Sequence, residues 1–238
     1  MLRLLAIVAL VELAIMVGFA MLPLVLEDYL YAILDTVILV LVTAPIIYFS
    51  IVKPYVAEHD SLLEQIQHLA HHDPLTQLPN RLLLSEFLQK LLSGVTRHGN
   101  YGALIFVDLD GFKAINDNHG HEAGDAVLLA VAQRLSKFVR TGDIVARLGG
   151  DEFIVVLERL DRDADEAKRK AWLTCERIQK ELRKVISFES LDLHIDSSIG
   201  LRLLTPDSDT ADSVIREADA AMYRAKQKGK GRVVGHDL

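Results

Sequence analysis

The 238-residue sequence contains a single cysteine, Cys175, and a single tryptophan. One thiol cannot build a disulfide framework, so Cys175 is predicted to be a core residue of a polar part that faces a reducing cytosol. Net positive charge is also lacking: the net charge is −7 and no Lys/Arg run suggests a groove binder, which argues against nucleic acid as a partner. The sequence has no G-x-x-x-x-G-K-[ST] loop, so it is not a P-loop NTPase.

Apolar residues, by contrast, dominate the start of the chain. Leu2–Leu26 and Tyr29–Val52 are each apolar over more than ~20 residues, long enough to cross a ~30 Å hydrocarbon core as helices. The first run is too long for a signal peptide and a second run follows it. A buried hairpin of a soluble protein is the alternative, but we expect a two-helix transmembrane hairpin over residues 1–53.

Flanking charges orient this hairpin. Cations stand at its two ends, Arg3 and Lys53, and acids stand in its turn, Glu27 and Asp28. By the positive-inside rule, both the N-terminus and the polar domain are expected to be cytoplasmic, at a bacterial-type inner membrane. The turn is too short to form an extracytoplasmic sensor domain.

Two acids and two prolines interrupt the apolar runs. Glu12 and Asp35 lie at depths where a carboxylate is costly and usually faces a partner or a cavity. Two interpretations stay open: each carboxylate has a local hydrogen-bond partner or lies near the interface, or the two acids form an intramembrane sensing site, a metal or proton site, or a dimer contact. Pro45 predicts a kink in the second helix, and Pro54 predicts a break at its exit.

Residues 54–72 read as a helical stalk. Val56, Leu63, Ile66 and Ala70 have the a/d spacing of a short coiled coil, which next to a membrane hairpin suggests a parallel homodimer. A metal site is the alternative for the histidines of this stretch, but without a matching acid or Cys they are expected to form a solvated helix face (His59, His68, His71 and His72).

Residues 73–238 alternate between helical and strand patterns after a turn-rich start, "DPLTQLPNR". The order β-α-β-β-α-β, with extensions, predicts an α/β domain of the ferredoxin-like or palm type, with the helices on one face of the sheet. The predicted helices are Arg81–Thr96, Glu122–Val139, Asp163–Val185 and Thr210–Lys228. The predicted strands are Tyr101–Asp108, Ile144–Arg147, Phe153–Leu157, Leu191–Leu204 and Arg232–Val234.

Acids follow two of these strands. Asp108 ends a buried strand, and the turn Gly149-Gly150-Asp151-Glu152 lies on a hairpin expected to run beside it. Asp108 and Asp151 can then share one or two Mg²⁺, and glycines allow a phosphate close to the backbone. With cationic side chains to offset phosphate charge, the pattern favours a two-metal nucleotidyl-transfer site.

Five motifs in order carry a family resemblance. "DPLTQLPNR", "FVDLDGFKAIND", "GHEAGD", "RLGGDEF" and "ADAAMYRAKQKGKGR" resemble the signatures of GGDEF-domain diguanylate cyclases, over Asp73 to about Val234. The resemblance implies condensation of two GTP into cyclic di-GMP with release of pyrophosphate. It also implies a homodimer that brings two GTP sites face to face, with Mg²⁺ or Mn²⁺, two per site, as cofactor.

Matched position by position, the resemblance assigns roles to individual residues. The metal ligands are Asp108, the Leu109 carbonyl, Asp151 and Glu152, of which the last two, with Lys113, are also the catalytic candidates. The GTP contacts are Asn116 and Asp125 for guanine, Gly149 and Gly150 for the nucleotide, and Lys226 and Lys230 for phosphate. An Asp that accepts from guanine N1–H and its amino group, beside an amide, is a sensible purine discriminator.

One position departs from the family and one pair extends the resemblance. Lys230 stands where the family commonly has Arg, which keeps the charge but loses bidentate geometry, so weaker GTP binding is expected. Arg140 and Asp143, upstream of the signature glycines, resemble the family's inhibitory site for cyclic di-GMP. Their position predicts product feedback, through the guanidinium fork on phosphate or guanine.

Two rival functions are weighed against the cyclase. A non-catalytic cyclic di-GMP receptor would use Arg140 and Asp143, but such receptors usually have damaged signature acids, and Asp108, Asp151 and Glu152 are intact. A GTP-binding domain that regulates an attached phosphodiesterase is disfavoured because no second catalytic domain follows in this sequence.

Overall fold

The computed structural model describes residues 2–20, 28–59, 70–208 and 210–236. The chain divides into two compact units, residues 1–67 and 68–238. The stalk positions Leu63 and Ile66 and the stalk histidine His68 lie outside the described residues, so the coiled-coil prediction stays a prediction.

The first unit consists of apolar helices. Helix α1 spans Leu2–Ala20 and lies against α2, Asp28–Ile47. Within the described residues, one helix, Thr36–His59, is long and apolar enough to cross a membrane, and Ala9–Gly18 is a shorter apolar segment. Side chains of the long helix are widely exposed, for example Leu41 at 67% and Phe49 at 64%.

The predicted helix break at Pro54 is wrong, since residues 53–59 remain helical. A π-helical turn, Tyr48–Val52, precedes this proline, and the Lys53 N–H donates to the Tyr48 carbonyl five residues back. Such a widened turn lies directly before the point where the missing N–H and the ring of proline disturb regular α-helical bonding. The kink predicted at Pro45, which lies inside α2, remains a prediction.

The second unit is built on a five-stranded sheet in the order β2-β3-β1-β6-β7. Its first four strands are antiparallel to their neighbours, β7 is parallel to β6, and the predicted βαββαβ order is confirmed. A separate hairpin, β4-β5, was not predicted as such. The strands are β1 (Tyr101–Asp110), β2 (Ile144–Gly149), β3 (Glu152–Asp161), β4 (Ile186–Phe188), β5 (Leu191–Leu193), β6 (Asp196–Leu204) and β7 (Val233–Gly235).

Five helices complete this unit: α3 (Arg81–His98), α4 (Phe112–His119), α5 (His121–Ser136), α6 (Ala164–Leu182) and α7 (Ala211–Gln227). Side chains cap three of them at the predicted starts: Asn80, Asp163 and Thr210 accept N–H groups of the first turns of α3, α6 and α7. Helix α4 was missed by the sequence patterns.

Helices cover both faces of the sheet, so the prediction of helices on one face is wrong. Ile105 and Val107 of β1 pack in one core with α5 and α6, whereas Leu104 and Phe106 pack in a second core with α3 and α7. The reason is the composition of β1, which is apolar at every position from Ala103 to Val107 and must be buried on both sides. Cys175 is fully buried in the first core, as predicted.

Candidate active site

The end of β1 places Asp108 beside the acidic hairpin. In the strand register Asp108 lies opposite Glu152 of β3 on one side and Ser198 of β6 on the other. Residues opposite each other in antiparallel strands share a face of the sheet, so Asp108 and Glu152 point to the same side. Asp108 is only 4% exposed.

Lys226, near the end of α7, is the direct partner of this buried acid. Its Nζ lies 2.7 Å from Asp108 Oδ2. Burial raises the pKa of Asp108; the Lys226 bond opposes this, and the charges of Asp151 and Asp110 add to it, so the net shift is upward. Burial alone would lower the pKa of Lys226, but its acidic neighbours outweigh that effect and raise it.

Glu152 belongs to the same group of acids. Burial, followed by the charges of Asp108, Asp219 and Asp151, raises its pKa. Asp219 lies on α7, seven residues before Lys226, and sequence reasoning did not single it out. The "ADAAMYRAK" motif that contains both residues was the available signal.

The turn between β2 and β3 has backbone conformations that favour glycine. Gly149 has a φ of 144° and Gly150 a φ of 53°, and both are exposed. The Leu109 N–H donates to the Asp151 carbonyl at 3.3 Å, which joins the turn to the end of β1. The four residues of the predicted acidic turn therefore lie at the sheet edge next to Asp108, as expected.

Arg147 anchors this turn and was not recognised from sequence. Its Nε and Nη2 donate to the Gly150 carbonyl at 3.1 and 2.8 Å, and its Nη1 lies 2.9 Å from Asp73 Oδ1. Asp73 also accepts from the N–H and hydroxyl of Thr76, at 2.8 and 2.6 Å. The turn-rich start of the domain thus holds the acidic turn through one guanidinium group.

The two candidate guanine contacts come from consecutive helices. Asn116 lies on α4 and is half-buried, whereas Asp125 lies on the first turns of α5 and is exposed. A Cβ at Gly124 would stand 1.9 Å from Asn116 Oδ1, so glycine is required for the two helices to approach this closely. The Asn116 side chain therefore lies against Gly124, the residue before Asp125.

The other predicted phosphate contacts lie on the surface. Lys113 is exposed on α4, and Lys230 is exposed in the loop after α7 with a left-handed φ of 61°. An open cavity of about 540 Å³ lies elsewhere, between α3 and the start of α7, and none of the predicted site residues lines it.

The donor set at the sheet edge fits a hard divalent cation. Carboxylate oxygens of Asp108, Asp151 and Glu152, with backbone carbonyls, are the ligands that Mg²⁺ prefers. Burial, with neighbouring acids second, raises the pKa values of Asp108 and Glu152, and a bound cation would favour their ionised forms. No three acid, His or Cys side chains of the described residues converge as a preformed metal cluster.

Two stalk histidines depart from the predicted solvated face. His71 and His72 are half-buried, the His71 imidazole is 3.6 Å from Glu86, and His72 pairs with Pro79 through a β-bridge. They lie at the start of the domain, where the Asn80 N–H donates to the His71 carbonyl.

Arg140 and Asp143 meet in the loop between α5 and β2. The backbone N–H of Arg140 donates to Asp143 Oδ2 at 3.1 Å, and the Arg140 Nη2 donates to the carbonyls of Glu158 and Arg159, each at 3.0 Å. Asp143 Oδ1 accepts the Glu158 N–H at 2.9 Å. The side chain of Arg140 is 65% exposed and that of Asp143 only 4%, so the arginine is accessible and the aspartate stabilises the loop.

A cavity of about 380 Å³ adjoins this pair, and further cationic side chains line it. Its lining residues include Lys137, Lys170 and Thr174 in addition to Arg140 and Asp143.

In the apolar unit, Glu12 is exposed on α1, and the side chain of Asp35 lies outside the described part.

Comparisons with known proteins agree with this geometry. Residues 70–232 match the family described as "Diguanylate cyclase, GGDEF domain". The chain is 40% identical over 166 residues to the bifunctional diguanylate cyclase/cyclic di-GMP phosphodiesterase MucR of Pseudomonas aeruginosa, covering 70% of this chain and 23% of MucR. It is also 40% identical over 166 residues to diguanylate cyclase TpbB of that organism, covering 70% of this chain and 37% of TpbB.

Solved structures show the same fold. The coiled coil and GGDEF domain of DgcB from Caulobacter crescentus, in complex with c-di-GMP, matches with a TM-score of 0.70 and 28% identity. The match covers 79% of this chain and 96% of the DgcB chain. The chain spans less than two fifths of the length of MucR and TpbB, so the likeness to them concerns one domain.

Proposed function

The chain belongs to the GGDEF-domain diguanylate cyclase family, and we propose that it condenses two GTP into cyclic di-GMP with release of pyrophosphate. The observation that carries the proposal is the buried Asp108, which Lys226 contacts at 2.7 Å and which lies opposite Glu152. An intact acid group at the edge of a palm-like sheet is what nucleotidyl transfer requires.

In this proposal each protomer binds one GTP. Asn116 and Asp125 read the guanine edge, because an amide and a carboxylate together match its donors and acceptor. Gly149 and Gly150 let the nucleotide approach the backbone of the turn. The exposed cations Lys113 and Lys230, and the half-buried Lys226, offset the charge of the triphosphate.

Asp108, the Leu109 carbonyl, Asp151 and Glu152 would hold Mg²⁺ or Mn²⁺, two ions per site. When bound, such ions neutralise charge on the phosphates and lower the pKa of a hydroxyl. The anchored turn supports this assignment of Asp151 and Glu152, since Arg147 fixes the Gly150 carbonyl immediately before them.

The reaction joins two protomers. The 3′-oxygen of one GTP forms a bond to the α-phosphorus of the other, the bond from that phosphorus to pyrophosphate breaks, and the hydroxyl proton leaves; the second half repeats this with the roles exchanged. Positioning contributes most of the acceleration, because both reactants are held in line. A homodimer through the stalk supplies the second GTP site.

Regulation and location complete the proposal. The exposed Arg140 side chain, with Asp143, binds cyclic di-GMP and gives product inhibition. The apolar hairpin anchors the chain in the inner membrane with two spans and a cytoplasmic cyclase domain; the exposed apolar surface of Thr36–His59 supports this. Glu12 and Asp35 are candidates for intramembrane sensing.

The test is GTP turnover by the full chain in detergent or bilayers with Mg²⁺, with products resolved by chromatography. We expect cyclic di-GMP from the wild type, none from Asp151→Ala, and wild-type levels from Asp192→Ala, which removes an exposed acid of β5. Cyclic di-GMP binding without turnover under every membrane condition would instead support the receptor function.

A further inference from the structure

The loop after α7 has an unusual backbone. Gly229, Lys230 and Gly231 all have left-handed φ values, 105°, 61° and 55°. A lysine rarely adopts this conformation, and a strained segment persists only where its surroundings fix it. The loop, residues 228–232, carries three exposed cations, Lys228, Lys230 and Arg232.

Three charged side chains fix the Gly231 peptide. Its N–H donates to Asp110 Oδ2 at 3.0 Å, and its carbonyl accepts from Arg183 Nη2 at 2.8 Å. The Arg183 Nε lies 2.9 Å from Asp196 Oδ1, so one guanidinium group joins the loop to the start of β6. We call Asp110, Arg183 and Asp196 the Gly231 clamp.

The clamp also explains why residue 231 is a glycine. A Cβ at Gly231 would stand 2.6 Å from Asp196 Oδ2, in addition to the strain of a φ of 55°. Here the close approach of Asp196 favours glycine.

The position of the clamp connects it to the candidate active site. Asp110 follows Asp108 by two residues on β1, and both of its carboxylate oxygens accept from the Ser198 hydroxyl at 2.9 Å. The loop therefore begins just after Lys226, which contacts Asp108, and is pinned again beside Asp110. Lys230 lies between these two attachment points.

We infer that Arg183, through the Gly231 clamp, is a positioning residue that holds Lys230 at the acidic edge for contact with the GTP phosphates. This rests on the proposed function. Arg183 itself is half exposed and comes after the end of α6, so no sequence motif of the site includes it. Because Lys230 offers a point charge on a flexible stem rather than a guanidinium fork, its backbone position decides how well it reaches phosphate.

The test compares Arg183→Gln with Lys184→Gln in the full chain. Lys184 is the adjacent residue, is equally exposed and pairs with Glu181, so its variant makes the same charge change away from the clamp. We expect Arg183→Gln to raise KM for GTP roughly five- to tenfold with kcat within twofold, as for a loosened charge-assisted contact, and Lys184→Gln to match the wild type.

A double variant separates positioning from general destabilisation. Lys230→Ala should raise KM by a similar factor, and Arg183→Gln should then add nothing further, because coupled residues are not additive. Amide hydrogen exchange in residues 229–232 should be faster in Arg183→Gln than in the wild type, and unchanged in Lys184→Gln. An unchanged KM, or an equal increase whether or not Lys230 is present, would overturn the inference.

Failure of the proposed function gives a different pattern. If the wild type makes no cyclic di-GMP, the affinity of a non-hydrolysable GTP analogue replaces KM in the same comparison. Weaker analogue binding in Arg183→Gln would then support the clamp although the enzyme assignment fails. If the wild type does not bind the analogue, the inference fails with the function on which it rests.

Discussion

Arg147→Ala tests whether the start of the domain holds the catalytic turn. The guanidinium of Arg147 contacts the Gly150 carbonyl through two nitrogens and Asp73 through the third. The side chains of Arg147 and Asp73 are 10% and 16% exposed, so this ion pair is mostly shielded from water. Its loss should therefore cost more than that of a surface pair.

The magnitude follows from these contacts. Hydrogen bonds to charged groups contribute roughly 1.5–3 kcal/mol each, and breaking a buried ion pair costs roughly 3–5 kcal/mol. Thr76 continues to satisfy Asp73 in the variant, which places the loss at the lower end of the range. We expect about 3 kcal/mol less free energy of unfolding, and a kcat at least roughly tenfold lower because the acids after Gly150 lose their fixed position.

Unfolding of the full chain in guanidinium chloride measures the loss in free energy of unfolding. Trp172, the only tryptophan, lies on α6, so its fluorescence reports the cyclase domain without a tryptophan signal from the apolar N-terminal helices. The matched control is Arg202→Ala, which removes the pair with Glu217 at a site that contributes nothing to the turn. The control should lose about 1–2 kcal/mol, as for a half-exposed pair, and keep its kcat.

The pH dependence gives a further check. Burial opposes ionisation of Asp73, but the hydrogen bonds from Thr76 and the contact with Arg147 outweigh it and lower its pKa below 3.8. Stability from this group is therefore complete above pH 3.8 and is lost as pH falls through the lower folded pKa. The difference in free energy of unfolding between the wild type and Arg147→Ala should therefore become smaller as the pH falls through that folded pKa. A loss under about 1 kcal/mol, far below the cost of breaking a buried pair, or a kcat that falls no further than in Arg202→Ala, would refute the anchoring role.

Three further predictions concern charge in the site and its regulation. In metal-free buffer at neutral pH, Glu152→Gln should raise the Trp172 unfolding midpoint, because the folded pKa of Glu152 is raised, and the gain should disappear below pH 4.5, where the acid is protonated in both states. With Mg²⁺ present, the same variant should lose turnover of GTP. Lys226→Met should destabilise the fold by about 3 kcal/mol, since it leaves Asp108 buried without its cation, and should weaken GTP-analogue binding at least tenfold in equilibrium titrations. Arg140→Ala should raise the product inhibition constant at least tenfold and, because its contacts with the Glu158 and Arg159 carbonyls are exposed to water, should cost less stability than Asp143→Ala, which should lose roughly 1–2 kcal/mol.

Each of these has a control or a contradicting result. Glu189→Gln, an exposed acid of the β4-β5 turn, should leave the unfolding midpoint unchanged, and a lowered midpoint in Glu152→Gln would contradict the unfavourable charge. Lys180→Met makes the Lys226 substitution at an exposed position of α6 and should leave stability and analogue binding unchanged. An unaltered inhibition constant in Arg140→Ala would remove the feedback assignment.

The strands and most helices could be predicted because their apolar residues follow simple periods. The continuous apolar run of β1 even contained the information that both faces are covered, since a strand with one wet face would alternate. Helix α4 was missed because "FKAINDNH" has one buried residue, Ile115, and too little length for a periodic signal. The β4-β5 hairpin was missed because each of its strands has three residues: β5 was merged into the predicted strand Leu191–Leu204, and β4 was left unassigned.

The site residues were identified by motif, and their roles stay predictions, but the side chains that support them could not be predicted. Arg147 and Asp73 are 74 residues apart, and Asp110 and Gly231 are 121 apart. Such pairs carry no local period or spacing, and either member alone reads as an ordinary turn residue. Only the sheet order, which places β1 between β3 and β6, brings them to one edge.

The same edge combines unfavourable charge with a rigid backbone, and the two features depend on each other. Asp108 and Glu152 have raised pKa values, so the folded domain without ligand holds acids that would be more stable protonated or dispersed. Arg147 fixes the Gly150 carbonyl on one side and the Gly231 clamp fixes the loop of Lys230 on the other. Because the backbone is held at both sides, the acids cannot relax by moving apart, and we expect a bound cation with a nucleotide to relieve their charge. Ligand binding should therefore stabilise the domain more than either anchor does alone.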